Sequence, residues 1–144
     1  FANPAIMMDS LIRKPLLPTL ASAFGRIPGP VFFHHGANPL AANLNHYAAL
    51  PNVEGFILDE RDDPKLARAM LGPERLLVTG PAGPRMSRRP AANVLASVQQ
   101  LLANMATDPR LMVATTAADI PWDTDEPTIA AIMDAAIAMG RPHA

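Results

Sequence analysis

"VEGFILDERDDPKLARAMLG", residues 53–72, sets three kinds of sequence end to end. Val53–Leu58 is a nearly continuous apolar run, the pattern of a strand buried on both faces. Asp59–Asp63 is a charged loop. Pro64–Leu71 then reads as a helix, because Pro64 suits a first turn and Gly72 suits a helix end. A strand buried on both faces needs helices to cover it, and strand–loop–helix order makes the sheet parallel.

The same unit recurs on either side. Val31–His35 leads into Pro39–Leu50, where Leu40, Leu44 and Tyr47 fall at helical spacing. Arg75–Thr79 leads into Pro90–Thr107, whose Val94, Val98, Leu101, Leu102 and Met105 form one apolar stripe. Leu111–Thr115 leads through a loop to Pro127 and a helix carrying Ile129, Ile132, Met133, Ala136 and Ile137 on one face, closed by Gly140 and Pro142. Ahead of these units, Pro4–Phe24 reads as helical with an interruption at Pro15 and Pro18. The expected organisation is lead-in helices over residues 1–27 and four β/α units over residues 28–144. The fold class is α/β with parallel strands. A small open doubly wound sheet would satisfy it, and so would half of an eight-stranded barrel, whose complete form takes about 250 residues.

The totals narrow the function classes. At 144 residues the chain fits one domain, and a 49% apolar, 17% charged composition belongs to a folded protein. A net charge of -1 gives no electrostatic reason to expect nucleic acid or an anionic membrane as partner. No apolar run approaches the roughly 18–20 residues that cross a bilayer. There is no cysteine, which removes disulfides, thiolate metal sites and cysteine nucleophiles and fits a cytoplasmic location. The 16 prolines indicate many short elements with firm ends. A start at Phe1 reads as a processed, truncated or partial chain.

In either architecture, groups that bind or react lie just beyond the C-terminal ends of the strands. The candidates fall there in register: His34, His35 and Asn38; Asp59, Glu60, Asp62 and Asp63; Gly80, Gly83 and Arg85; Thr116, Asp119, Trp122 and Asp123. Asp59, at the end of a buried strand, is the acid, base or hydrogen-bonding candidate, because partial burial tunes a carboxyl pKa. Asp62 or Asp63 suits the N-cap of the helix at Pro64. Arg85, with Arg88 and Arg89, is a clamp for carboxylate or phosphate, or a solvated loop. "GPAGP", residues 80–84, is not a phosphate loop, since it lacks Lys-Ser/Thr and its prolines remove donors. Trp122 offers a ring platform or packs its own loop, and Thr124 suits a helix cap.

"KPLLPTLASAFGRI", "VFFHHGANPLAANL", "VEGFILDERDDPKLARAMLG", "LLVTGPAGPRM" and "TTAADIPWDTDEPTIAAIMDAA", in this order, resemble the C-terminal half of the uroporphyrinogen decarboxylase superfamily. That superfamily also contains methyltransferases acting between corrinoid cofactors and thiols. The resemblance implies the C-terminal half of a TIM-type (β/α)8 barrel. It also implies a partner for the unpaired strand edges: a missing N-terminal half, a partner chain or a second copy.

The departures are as informative. The methyltransferases hold zinc through a His-x-Cys pair on the first of these strands and a later Cys; the matching positions here are Phe33 and His35, and a place near Ala118. A substitute site from His34, His35 and Asp119 runs against the alternation of strand side chains, so the cofactor is left open. The decarboxylases' Gly-His-Gly resembles Ala117–Asp119, and their carboxylate for the pyrrole nitrogens lies in the other half. The resemblance therefore implies a lyase or methyltransferase relative that binds a tetrapyrrole, corrinoid or small anionic molecule. His35, Asp59 and Asp119 are its catalytic candidates, and His34, Asn38, Arg85 and Trp122 its ligand-binding candidates. The alternative is a non-catalytic subunit or binding module that completes a barrel.

Overall fold

A computed structural model describes residues 7–34, 36 and 38–139. Val31–His34 (β1), Val53–Ile57 (β2), Leu76–Thr79 (β3) and Leu111–Val113 (β4) form a parallel sheet in the order β1-β2-β3-β4. Strand order decides between the two architectures. A doubly wound sheet reverses direction at a switch point, whereas a (β/α) barrel adds every strand on the same side of the last. This sheet never reverses. It is consistent with part of a TIM-type barrel, and within the described residues β1 and β4 remain its edges.

The N-terminal helix enters as α1 (Asp9–Leu11), widens into a π-helical turn over Ile12–Leu16 and continues as α2 (Leu17–Phe24). Pro15 sits in the widened turn. Its missing N–H leaves one helical bond unmade, so the helix dilates there instead of breaking. After β1, a 3-10 turn over Ala41–Asn43 precedes α3 (Leu44–Ala48), shorter than the Pro39–Leu50 helix that the spacing predicts. The three residues behind that expectation, Leu40, Leu44 and Tyr47, are all fully buried. Next comes α4 (Pro64–Leu71), where the Asp63 carboxylate accepts from the N–H groups of Lys65 and Leu66, and Gly72 turns the chain at φ 77°. A 3-10 turn over Gly83–Arg88, α5 (Ala91–Asn104) and α6 (Glu126–Met139) complete the elements.

Register separates the two faces of the sheet. Phe33, Phe56, Leu77 and Leu111 stand side by side across the four strands, and all belong to or pack on the core under the helices. Phe33 stacks on Tyr47 of α3 at 4.2 Å between ring centroids. On the opposite face His34, Ile57, Val78 and Met112 stand in line, with Phe32 and Gly55 one pleat below. Phe32 lies over Gly55 so closely that a Cβ there would collide with its ring. No helix among the described residues covers this face: Phe32 is 46% exposed and Met112 51%. In a closed barrel these positions would point inward.

At the N-terminal ends of the strands, Arg68 of α4 ties the units together. Its guanidinium forms a two-point pair with Asp108 (2.7 and 3.1 Å) and donates to the carbonyls of Gly72, Arg75 and Arg110.

Candidate functional site

At the C-terminal strand ends four loops are joined by specific bonds. Asp62, after β2, accepts from the N–H groups of Leu40 and Ala41 after β1, at 2.9 to 3.1 Å, and from Asp59 N–H at 3.1 Å. Glu60 reaches the other way, accepting from Ala82 N–H at 2.9 Å, from Arg85 at 2.5 Å and from Arg89 at 3.4 Å. The β3 and β4 loops lie backbone to backbone. Gly83 N–H donates to Thr116 O at 2.9 Å, and a side chain at Gly80 or Gly83 would collide with the carbonyl of Ala114 or Ala118. These two glycines allow the close approach.

The sequence candidates occupy this rim with unequal prospects. Asp59 is buried (4% exposed) and held by Arg61 in a two-point pair at 2.6 and 3.0 Å. That hydrogen bond pushes the Arg61 guanidinium further up its already high range. Asp59 is therefore best described as the carboxylate that orients Arg61. His34 is exposed at the end of β1, and its Nδ1 accepts from Gly36 N–H at 2.9 Å; in the neutral ring this places the proton on Nε2. His35 lies outside the described residues. Asn38 donates to Gly36 O within the same loop, and Asp119 is exposed in the β4 loop. Arg85 is half exposed and paired to Glu60.

Of the two candidates for the α4 cap, Asp63 takes it, while Asp62 serves the loop after β1. Two expectations are corrected. Trp122 is 98% exposed and packs no loop. Thr124 is not the cap of α6: Asp125 accepts from Thr128 N–H and Oγ1, while the buried Thr124 hydroxyl has no partner.

A cleft of about 290 Å³ opens at the ends of β2 and β3 and runs down against Ser97, Val98 and Leu101 of α5. Its charged walls are Glu60, Arg61, Asp62 and Arg89, and Thr79 and Gly80 form its floor. None of the six described candidates chosen from sequence as catalytic or ligand-binding (His34, Asn38, Asp59, Arg85, Asp119 and Trp122) lines it; their neighbours do. Arg61 was missed because it sits among Asp59, Glu60, Asp62 and Asp63 and reads there as a solvated loop charge. The available signal was its place two residues beyond a strand-end aspartate. Two guanidinium groups, each held by a carboxylate, line this cleft, and the planar fork of a guanidinium matches the geometry of an anionic carboxylate or phosphate.

Among the described residues no group of three or more His, Asp or Glu is placed to hold a metal ion. No helix there is long and apolar enough to cross a membrane. A family model described as Uroporphyrinogen decarboxylase (URO-D) matches residues 2–139. No curated protein matches the chain by sequence.

Proposed function

The chain belongs to the uroporphyrinogen decarboxylase family, whose model spans nearly its whole length, and on that premise we propose that it binds a carboxylate-bearing ligand of tetrapyrrole or corrinoid type above its strand ends. The reaction served would be decarboxylation or methyl transfer. The observation behind this reading is the pair Arg61 and Arg89 on the wall of the 290 Å³ cleft, with Arg85 sharing the Glu60 carboxylate of Arg89. In this reading the arginines take ligand carboxylates, Asp59 orients Arg61, and His34 lines the ligand from the end of β1. His35 and Asp119 are the remaining groups for proton handling, Asn38 contributes an amide, and Trp122 is a ring beside the ligand. Zinc-centred methyl transfer fits poorly, because Phe33 and Ala118 cannot ligate a metal.

The test uses uroporphyrin, which carries several carboxylates and absorbs where tryptophan emits. Trp122 is the only tryptophan, so its emission reports binding without ambiguity. Saturable quenching is expected, weakened about tenfold by Arg89→Ala, the scale of losing one charge-assisted contact. Linear, unsaturable quenching would remove the proposal.

A second reading has its own support in the uncovered face carrying Phe32, His34 and Met112 and in the edges at β1 and β4. Four further β/α units, aligned parallel at those edges, would bury it. Light scattering of the purified chain is expected to show an assembly larger than one copy; a stable monomer opposes this reading.

A further inference from the structure

The loop after β2 sends its carboxylates in different directions. Asp62 holds backbone N–H groups of the β1 loop, Asp59 holds Arg61, and Glu60 crosses to the β3 loop. There its Oε1 accepts from Arg85, while its Oε2 accepts from Arg89 and from the N–H of Ala82. The Glu60 side chain is 14% exposed, so these donors stand in for most of its water. Two guanidinium groups share one carboxylate, which leaves the trio one positive charge in excess. Each arginine uses only Nη1 on Glu60, and among the described residues the Nε and Nη2 of both have no other partner. A long side chain loses rotamer freedom when a ligand immobilises it, and one held beforehand has less to lose.

We infer that Glu60 is a positioning residue: it holds Arg89, and Arg85 beside it, so that their unused N–H groups meet a ligand carboxylate. The inference rests on the reading of the cleft as the place where a carboxylate-bearing ligand binds. Charge alone makes the opposite demand. A carboxylate beside the arginines repels an anionic ligand, so by Coulomb's law its removal should tighten binding. If Glu60 positions the arginines, its removal weakens binding although the site becomes more positive.

Glu60→Gln keeps the length of the side chain and an oxygen for Ala82 N–H while removing the charge. Uroporphyrin affinity, read from Trp122 emission, is expected to fall about tenfold, the scale of one charge-assisted contact. In a chain already carrying Arg85→Ala and Arg89→Ala, the same substitution should no longer weaken binding, because Glu60 acts through those side chains. Tighter or unchanged binding in Glu60→Gln, or an equal loss without the two arginines, would overturn the inference. A second readout needs no ligand: the arginine Nε–H signals in a nitrogen–proton spectrum. Those of Arg85 and Arg89 are expected to stand apart from the free-arginine position in wild type and to collapse onto it in Glu60→Gln. Signals that stay in place in the variant, or that already lie at the free position in wild type, contradict a held pair. The wild-type spectrum therefore decides if the variant does not fold. Absence of saturable quenching in wild type would remove the ligand reading by itself, while the spectrum still settles whether Glu60 holds the arginines.

Discussion

The carboxylate of Asp62 closes on the backbone N–H of Leu40, with one oxygen at 2.9 Å and the other at 3.1 Å. The two residues are 22 apart in sequence and belong to different β/α units. Asp62 also accepts from Ala41 and Asp59 N–H groups, and its side chain is buried. A single carboxylate thus fixes where the loop carrying His34 and Asn38 sits relative to the strand end carrying Asp59. The position of the candidate site depends on this bond as much as on the sheet.

Asp62→Ala should therefore destabilise the chain by about 3 kcal/mol, since buried N–H donors lose a charged acceptor together. Asp62→Asn keeps one carbonyl oxygen and should cost about half as much. Urea unfolding with an unchanged slope measures both. A loss under about 0.5 kcal/mol for Asp62→Ala, the scale of an ordinary surface change, would contradict the role assigned here.

Tyr47 is expected to behave in the opposite way. Its ring is fully buried against Phe33, but its hydroxyl is buried without a hydrogen-bond partner. Burial also pushes its pKa up. Removing the hydroxyl keeps the stacking and removes a desolvated polar group, so Tyr47→Phe should be neutral or stabilising by about 1 kcal/mol. Thermal unfolding that shows a clear loss of stability would mean the hydroxyl has a partner after all.

The strands were legible because each is an apolar run closed by a polar or glycine-rich loop. Their ends were not. The Leu111–Thr115 strand ends at Val113, although Ala114 N–H still donates to Thr79 O and the Ala114 carbonyl lies against Gly80. The Arg75–Thr79 strand begins at Leu76, with the Arg75 side chain reaching back to the Val53 carbonyl. The partners of Glu60 were hidden because they are long-range: it meets Arg85 and Arg89 across 25 and 29 residues. A charge in a loop looks solvated until the fold brings its counterpart to it. The Asp59–Arg61 pair is local, two residues apart, and was hidden because Arg61 stands among four acidic neighbours that could equally have taken it. Trp122, the most conspicuous residue of its loop by type, turns out to be almost wholly in water.

Arg68 tests the opposite end of the sheet. Its guanidinium is 17% exposed and the Asp108 carboxylate 9%, and three carbonyls share its donors. Arg68→Met would strand a buried carboxylate and is expected to cost about 3–5 kcal/mol. Arg68→Lys should recover little, because a single ammonium cannot reproduce the two-point fork and reach the carbonyls as well. Replacing both partners, Arg68→Met with Asp108→Leu, should restore part of the loss by removing the unpaired charge. Denaturant titrations of the three variants separate lost attraction from stranded charge. Equal losses in the single and double variants would show that the pair is not what holds α4 to the strands.

Acid should loosen the N-terminal helix first. Asp9 of α1 pairs with Arg13 at 2.8 Å and with the His46 ring of α3 at 3.1 Å. The Arg13 hydrogen bond holds the Asp9 carboxyl below its ordinary 3.8, against a smaller opposing effect of desolvation and with further help from His46. A carboxyl whose folded pKa is depressed contributes stability that is complete above its unfolded value and is lost as pH falls through the folded one. The contact between α1 and α3 should thus be intact near neutrality and weaken only below about pH 4, where the unfolded chain takes up the proton first. Asp9→Asn should remove this pH dependence while leaving the sheet intact, and Arg13→Ala should raise the Asp9 midpoint back toward the ordinary value. A carboxyl-detected NMR titration of wild type and Arg13→Ala reads this directly. An identical Asp9 midpoint in the two would show that Arg13 does not set it, and a midpoint above 3.8 in wild type would reverse the sign of the argument.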